Sequence, residues 1–411
     1  MSASPPVSPP ASACAPASSG PLHLAVVLDG AGRHPAAWRE PGARPGELFT
    51  ARYWADAVAE AEAGLLDFVT FEDSLALQSS STDGSDEPDG RTDRVRGRLD
   101  AVLTAARVAP LTRHIGLVPA VTATHTEPFH ISKAIATLDH VSRGRAGLSI
   151  QVSQLVHEAR HFGRRAVPLT EAESCEEAAD HIEVIRRLWD SWDDDAEIRD
   201  VATGRFVDRD KLHHIDFEGR HFNVRGPSIT PRPPQGQPVV TAASASGDAG
   251  AALDLIARST DVGHLAVPDA ERARAAVAEI RQARESAGLA AQPLHLFADL
   301  TVFLDEDAPA AQARKERLDA LAGAPYGSDG ATFTGTSAQL ADLLQDWRPA
   351  GLSGFRLRPG VLAHDLPAIT RRLVPELQRR GVFRRAYEAD TLRGLLGLER
   401  PAGRYATHPA A

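Results

Sequence analysis

HIGLVPAVTATHTEPFHISKAIATLDHVSRGRAGLSIQV, residues 114–152, decides the fold. It opens on an apolar run at 114–119, too short for a helix and closed by Pro119. A stretch at 128–141 follows, with Pro128 in the position that suits a helix's first turn and no further proline or glycine before Gly144. A second short apolar run occupies 146–152. Strand, helix and strand in that order make a crossover connection, which joins parallel strands; antiparallel neighbours need only a turn.

The same alternation extends in both directions. Strands are expected at 22–28 and 67–71 before this unit, and at 239–243, 261–266, 294–303 and 354–357 after it. Helices are expected at 51–64, 99–109, 176–192, 249–258, 269–287, 308–322, 337–347 and 367–380. The first of these places Tyr53, Trp54, Ala57, Val58 and Ala61 on one face and stops at Gly64. Eight strands alternating with helices predict an α/β fold, a closed (β/α)8 TIM barrel with insertions. An open doubly wound sheet is the alternative, but no Gly-x-Gly-x-x-Gly follows the first strand.

The barrel is expected to span 22–380 of the 411 residues, after a Ser/Ala/Pro-rich tail at 1–21 and before a C-terminal extension at 381–411 that packs on the barrel. The tail lacks a basic start and an unbroken apolar segment, so it does not read as a signal peptide. Insertions fall near 77–97, 193–237 and 323–336. The first follows the second strand and reads either as a mobile lid or as a solvated loop. Within the second, 213–224 alternates like a hairpin, and the acidic run Asp193, Asp194, Asp195 reads as a solvated helix end. A net charge of −10 without a basic tract argues against nucleic acid as a partner. No apolar run approaches the roughly 20 residues of a membrane span. Two cysteines, Cys14 and Cys175, give neither a disulfide framework nor metal-ligand spacing, and a reducing cytoplasm fits.

GPSITPRPPQGQPVVTAASASGDAGAA, residues 226–252, ends a strand in side chains too small to fill space: Ala242, Ala243, Ser244, Ala245, Ser246 and Gly247. Such a strand end lets the backbone come close to something, or it packs a helix tightly on the sheet.

Several stretches resemble the luciferase-like flavin monooxygenases, in the branch of nitrilotriacetate and dibenzothiophene sulfone monooxygenases. They are GRHPAAWREP at 32–41, THTEPFHISKAIATLDHVSRGRAGLSIQVS at 124–153, HFG at 161–163, LWDSWDDDA at 188–196, IDFEGRHFNVRGPSITPRPPQGQPVV at 215–240 and VPELQRRGVFRRAYEADTLRGLLGL at 374–398. The resemblance implies a TIM barrel holding FMN at the mouth formed by the strands' C-terminal ends. It implies that the backbone around Ser244, Ala245, Ser246 and Gly247 meets the FMN phosphate. It places Ser149, Gln151 and Ser153 at the flavin edge, and Asp73, Thr122 and Thr124 around the ring. Glu72, His125 and His161 then border the substrate side. His34 is the catalytic candidate: a histidine near neutral pKa can move a proton, and its other reading is a structural bond near Trp38 and Arg39.

This chain departs from the family where Gln-Ala-Gly becomes Ala242, Ala243, Ser244 and where Trp-Asn becomes Leu148, Ser149. The function implied is a two-component monooxygenase that receives reduced FMN from a separate flavin reductase and uses O2 to oxygenate a small organic substrate. The alternatives are a deazaflavin-dependent oxidoreductase and a non-catalytic paralogue with a degenerate flavin site. Relatives often form homodimers or homotetramers.

Overall fold

The computed structural model describes residues 20–78, 90–165, 167–244 and 250–406. Eight parallel strands form its centre: β1 (His23–Leu28), β2 (Phe68–Phe71), β3 (Gly116–Thr122), β4 (Gly147–Gln151), β5 (Val239–Ser244), β6 (Val262–Leu265), β7 (His295–Asp305) and β8 (Gly354–Pro359). Each pairs in parallel with its predecessor, and β8 closes on β1 through His23 and Gly354. The sheet is therefore a closed barrel, as the alternation of strands and helices predicts. A further strand, Ala331–Thr336, pairs with β7 outside the ring and was not anticipated.

The helices that cover the barrel include α1 (Ala51–Ala63), α2 (Ala101–Val108), α3 (Pro128–Ser142), α4 (Val156–Phe162), α5 (Glu171–Trp189), α6 (Ala251–Ser259), α7 (Ala270–Ser286) and α8 (Ala308–Ala322). On α1 the expected stripe is real: Tyr53, Trp54, Val58 and Ala61 are buried. Helix α5 begins five residues earlier than periodicity suggests, because Thr170 and Glu173 form a reciprocal capping box. Strand β3 runs on past Pro119. It pairs with β2 up to Pro119 and with β4 from Ala120 onward, so the missing proline N–H falls where pairing changes sides.

The N-terminal end of the barrel is shut. Leu392, Leu396 and Leu398 of the C-terminal segment are buried among Phe68, Val118, Val239, Val262 and Phe297. The acidic run is not merely solvated. Asp193 meets His213 at 3.0 Å, Asp194 meets Arg232 at 3.0 Å and also Arg400, and Asp195 meets Lys211. Asp194–Arg400 ties the excursion at 193–237 to the C-terminal segment, and the other pairs hold the excursion to itself.

Above the apolar plug the interior changes character. Successive inward positions read Phe68, Thr70, Glu72 on β2; Phe297, Asp299, Thr301 on β7; and Gly354, Arg356, Arg358 on β8. Barrel interiors are ordinarily filled by bulky branched side chains. Here polar and small residues replace them, and the barrel opens into a cavity.

Candidate active site

The cavity lies inside the C-terminal half of the barrel and measures about 530 Å³, within the range that takes a small molecule or cofactor. Its two walls differ chemically. One wall is built from Ser149 and Gln151 of β4, Ala242, Ala243 and Ser244 of β5, and Ala252 and Leu255 of α6, with Glu171 of α5 as its one acid. Among the described residues no side chain caps the start of α6, where Gly250 holds a positive φ of 111°. The first-turn amides of that helix and its dipole are therefore available to an anion. Ala243 is exposed to the cavity while Ala242 and Ser244 are buried. Ala245, Ser246 and Gly247 lie outside the described residues.

The other wall is charged. Arg356 on β8 donates Nε and Nη2 to Asp299 on β7 at 2.7 and 2.5 Å, a bidentate pair that is almost wholly buried. Arg356 Nη1 lies 3.8 Å from Glu72 at the end of β2. Arg358 donates to Asp329 at 2.5 Å. Arg33, just after β1, donates to Asp29 at 3.1 Å, and Arg98 reaches the same aspartate at 3.1 Å. Burial raises the Glu72 carboxyl above the usual carboxylate range, and Arg356 and Arg33 only partly offset it.

The loop after β1 is held rigidly. Arg33 N–H donates to the Pro359 carbonyl at 2.9 Å and His34 N–H to the Gly360 carbonyl at 3.0 Å. Gly32 has a φ of 130°, and a Cβ there would lie 2.5 Å from the Gly360 oxygen, so only glycine lets these two loops meet.

The candidate residues from the sequence divide into two groups. Glu72, Ser149, Gln151 and Ser244 line the cavity. The other described candidates lie outside its lining. Asp73 accepts hydrogen bonds from Ser74 and Ala101 N–H at 2.8 and 2.9 Å, joining the end of β2 to the start of α2. Thr122 is buried, and its carbonyl accepts from the Thr126 hydroxyl at 2.9 Å. Thr124 Oγ1 accepts from Ser153 N–H at 2.9 Å, while Ser153 Oγ accepts from Leu155 N–H at 3.2 Å. His125 is stacked on Phe162, with ring centres 5.1 Å apart, and faces a separate cavity of about 350 Å³. His161 is exposed on α4.

His34 is 1% exposed and both ring nitrogens are in use. Nδ1 accepts from Ala36 N–H at 3.1 Å, which makes Nε2 the protonated nitrogen, donating to Asp319 at 3.0 Å. Burial lowers its pKa further, so the ring is neutral at pH 7. It faces Phe303 and Tyr326. The sequence reading missed Arg33, Asp299, Asp329, Arg356 and Arg358. The signal was present in GFRLRP at 354–359, where arginines at every second position of an apolar strand must point one way.

Among the described residues, no set of His, Cys, Asp or Glu is arranged to hold a metal, and no helix is long and apolar enough to cross a membrane.

The sequence profile of the luciferase-like monooxygenases matches residues 32–353. The chain belongs to that family of flavin-dependent oxidoreductases. It is 30% identical to N-acetyl-S-(2-succino)cysteine monooxygenase of Bacillus subtilis (strain 168), over 94% of this chain and 98% of the relative. It is 29% identical to nitrilotriacetate monooxygenase component A of Aminobacter aminovorans, over 92% and 97% of the two chains. Among solved structures, riboflavin lyase with modified FMN and riboflavin superposes with a TM-score of 0.81 at 24% identity, covering 94% of this chain and 98% of that one.

Proposed function

We propose that the chain is the oxygenase component of a two-component monooxygenase. In this reading it binds FMN delivered in reduced form by a separate flavin reductase and oxygenates a small organic molecule. The observation that carries the reading is the wall of β4, β5 and α6: a strand end of small residues, beside a helix start that no described side chain caps, inside a cavity of cofactor size. The residues present fit the group. The start of α6 and the backbone of Ala243 and Ser244 would receive the phosphate. Ser149 and Gln151 would hydrogen-bond the polar edge of the ring, and Ala242 would leave room for its flat face. Serine at 149 reaches less far than an asparagine, and Gln151, two residues further along the same inward face, supplies a longer amide.

Reduced flavin supplies the electrons and the activation of O2. The chain's own part is to bind, orient and exclude water. The buried Arg356–Asp299 pair and the Leu392–Leu398 plug close the barrel from below. Glu72, whose acid form burial favours, can hold a proton at its carboxyl oxygen within the cavity.

The test is a titration with oxidised FMN and, anaerobically, with reduced FMN, followed by admission of oxygen. Preferential binding of the reduced form with oxygen consumption is the expected result. Binding without oxygen consumption would favour the deazaflavin alternative, and binding of neither form would sink the reading. Ala243→Asp adds a carboxylate to an exposed position and should weaken FMN by about tenfold to a hundredfold, while Ala243→Ser should leave it unchanged.

A further inference from the structure

The charged wall carries more guanidinium than its own carboxylates consume. Arg356 spends Nε and Nη2 on Asp299 and keeps Nη1, which lies too far from Glu72 for a hydrogen bond. Arg358 spends Nη1 on Asp329, and Arg33 spends Nη1 on Asp29, an aspartate it shares with Arg98. Among the described residues, four guanidiniums on this side thus face three aspartates, with Glu72 as the remaining acid of that side; Glu171, at the start of α5, is a further acid of the cavity lining. Arg33, Arg356 and Arg358 line one side of a single cavity whose facing side is uncharged at Ser149, Gln151 and Ala242 to Ser244 and carries one acid, Glu171. A flavin matched to that facing side leaves the arginine side to the molecule that is oxygenated.

We propose that Arg33, Arg356 and Arg358 form a subsite for a carboxylate head group of the substrate. The proposal rests on the monooxygenase reading only in calling that molecule the substrate. Carboxylate is the chemistry that fits, because a planar guanidinium fork matches two carboxylate oxygens, as Arg356 already demonstrates on Asp299. Apolar substrates are disfavoured, since they would desolvate these charges without replacing the lost hydrogen bonds.

Glu72 makes the subsite sensitive to pH. Arg356 on β8 and Arg33 after β1 favour its ionisation; burial, Asp29 after β1 and Asp299 on β7 oppose it. With Glu72 uncharged the wall has a positive charge to spare. With Glu72 ionised that charge is cancelled and a bound carboxylate is repelled. Carboxylate affinity therefore falls as pH rises through the Glu72 ionisation.

The experiment is calorimetric titration of the whole protein with succinate and with benzoate, each beside its uncharged amide, at about pH 6 and about pH 8, with FMN affinity measured in parallel. At least one carboxylate should bind about tenfold or more tightly than its amide, and more weakly at the higher pH. Arg358→Gln should reduce that preference by about tenfold while FMN affinity stays within about twofold. Arg358 is chosen because its partner Asp329 is 47% exposed and is not stranded by the change; Arg33→Gln is the second variant. Glu72→Gln should keep the carboxylate bound at the higher pH. Carboxylates that bind no better than their amides, or a preference untouched in both arginine variants, would overturn the subsite even if FMN binds normally. Loss of FMN binding with the carboxylate preference intact would overturn the monooxygenase reading and leave the subsite standing.

Discussion

A single side chain shows how far type and position carry an assignment. A histidine just after the first strand of a barrel sits where proton transfer would be useful, and His34 was singled out on that ground. Its surroundings assign it to holding the loop. With Nδ1 receiving Ala36 N–H and Nε2–H given to Asp319, it has no nitrogen left for a substrate. Removing it would leave Asp319 and the Ala36 amide short of a partner and open a space beside Phe303 and Tyr326. His34→Ala should therefore cost about 2–4 kcal/mol in urea unfolding, with FMN affinity within about twofold of the parent. A variant that unfolds like the parent yet loses turnover would restore the proton-transfer role. The arginines of the charged wall escaped the reading for the opposite reason. A strand rich in apolar residues suggests burial, and burial argues against charge unless partners are known. Asp299 and Arg356 are far apart in sequence, and only closure of β7 on β8 brings them together.

At the scale of an element, the turn from α3 into β4 is built by SRGR at 142–145. Arg143 and Gly144 take left-handed conformations, which turns the chain sharply after the helix. Arg145 then donates to the carbonyls of Ala109, Thr112, Ile115 and Ser142 and to the Thr112 hydroxyl, so one buried guanidinium satisfies the chain leaving α2. Asp139 receives Ala146 N–H and both the backbone and side-chain N–H of Gln235. Local turn chemistry of this kind is written in adjacent residues. Helix α4 and the strand Ala331–Thr336, by contrast, are short and take their place from tertiary contacts, so sequence periodicity gave no sign of them. Asp139 also yields a test. Burial, only partly offset by those hydrogen bonds, raises its pKa to about 6. The folded state then holds the proton more tightly than the unfolded chain, so this group favours folding at acid pH and its contribution falls as pH rises from about 4 to about 6. Asp139→Asn has no such dependence. Its stability deficit relative to the parent should shrink by up to about 3 kcal/mol across that window, measured by urea midpoints. A deficit constant with pH would show that the carboxyl keeps its ordinary pKa.

Over the whole molecule, the barrel was legible because eight repeated strand–helix units leave few other ways to bury their apolar faces. What those strands enclose was not legible, because the interior depends on which residues meet across the ring. The lower interior holds His264, fully buried between Phe68 and Phe297, and neither of its nitrogens has a hydrogen-bond partner among the described residues. Burial, with Arg356 adding to it, pushes its pKa well below the usual histidine value. His295 is lowered to about 4 and His181 to about 3, both mainly by burial. All three are neutral in the folded state, whereas the unfolded chain takes up protons near pH 6.5. The sign is opposite to that of Asp139: stability is intact above pH 6.5 and is lost as pH falls toward 4. Taken by themselves, these three histidines cost the parent on the order of several kcal/mol between pH 6.5 and pH 4. His264→Leu isolates one contribution. Leucine suits an aromatic-lined interior and removes two polar atoms without partners, so the variant should be within about 1 kcal/mol of the parent at pH 7 and more stable than it at pH 4.5. Unfolding curves at the two pH values decide the matter. An acid limb as steep in the variant as in the parent would mean that His264 stays as easily protonated inside the barrel as outside it, and that the polar interior reaches deeper than the cavity's present floor.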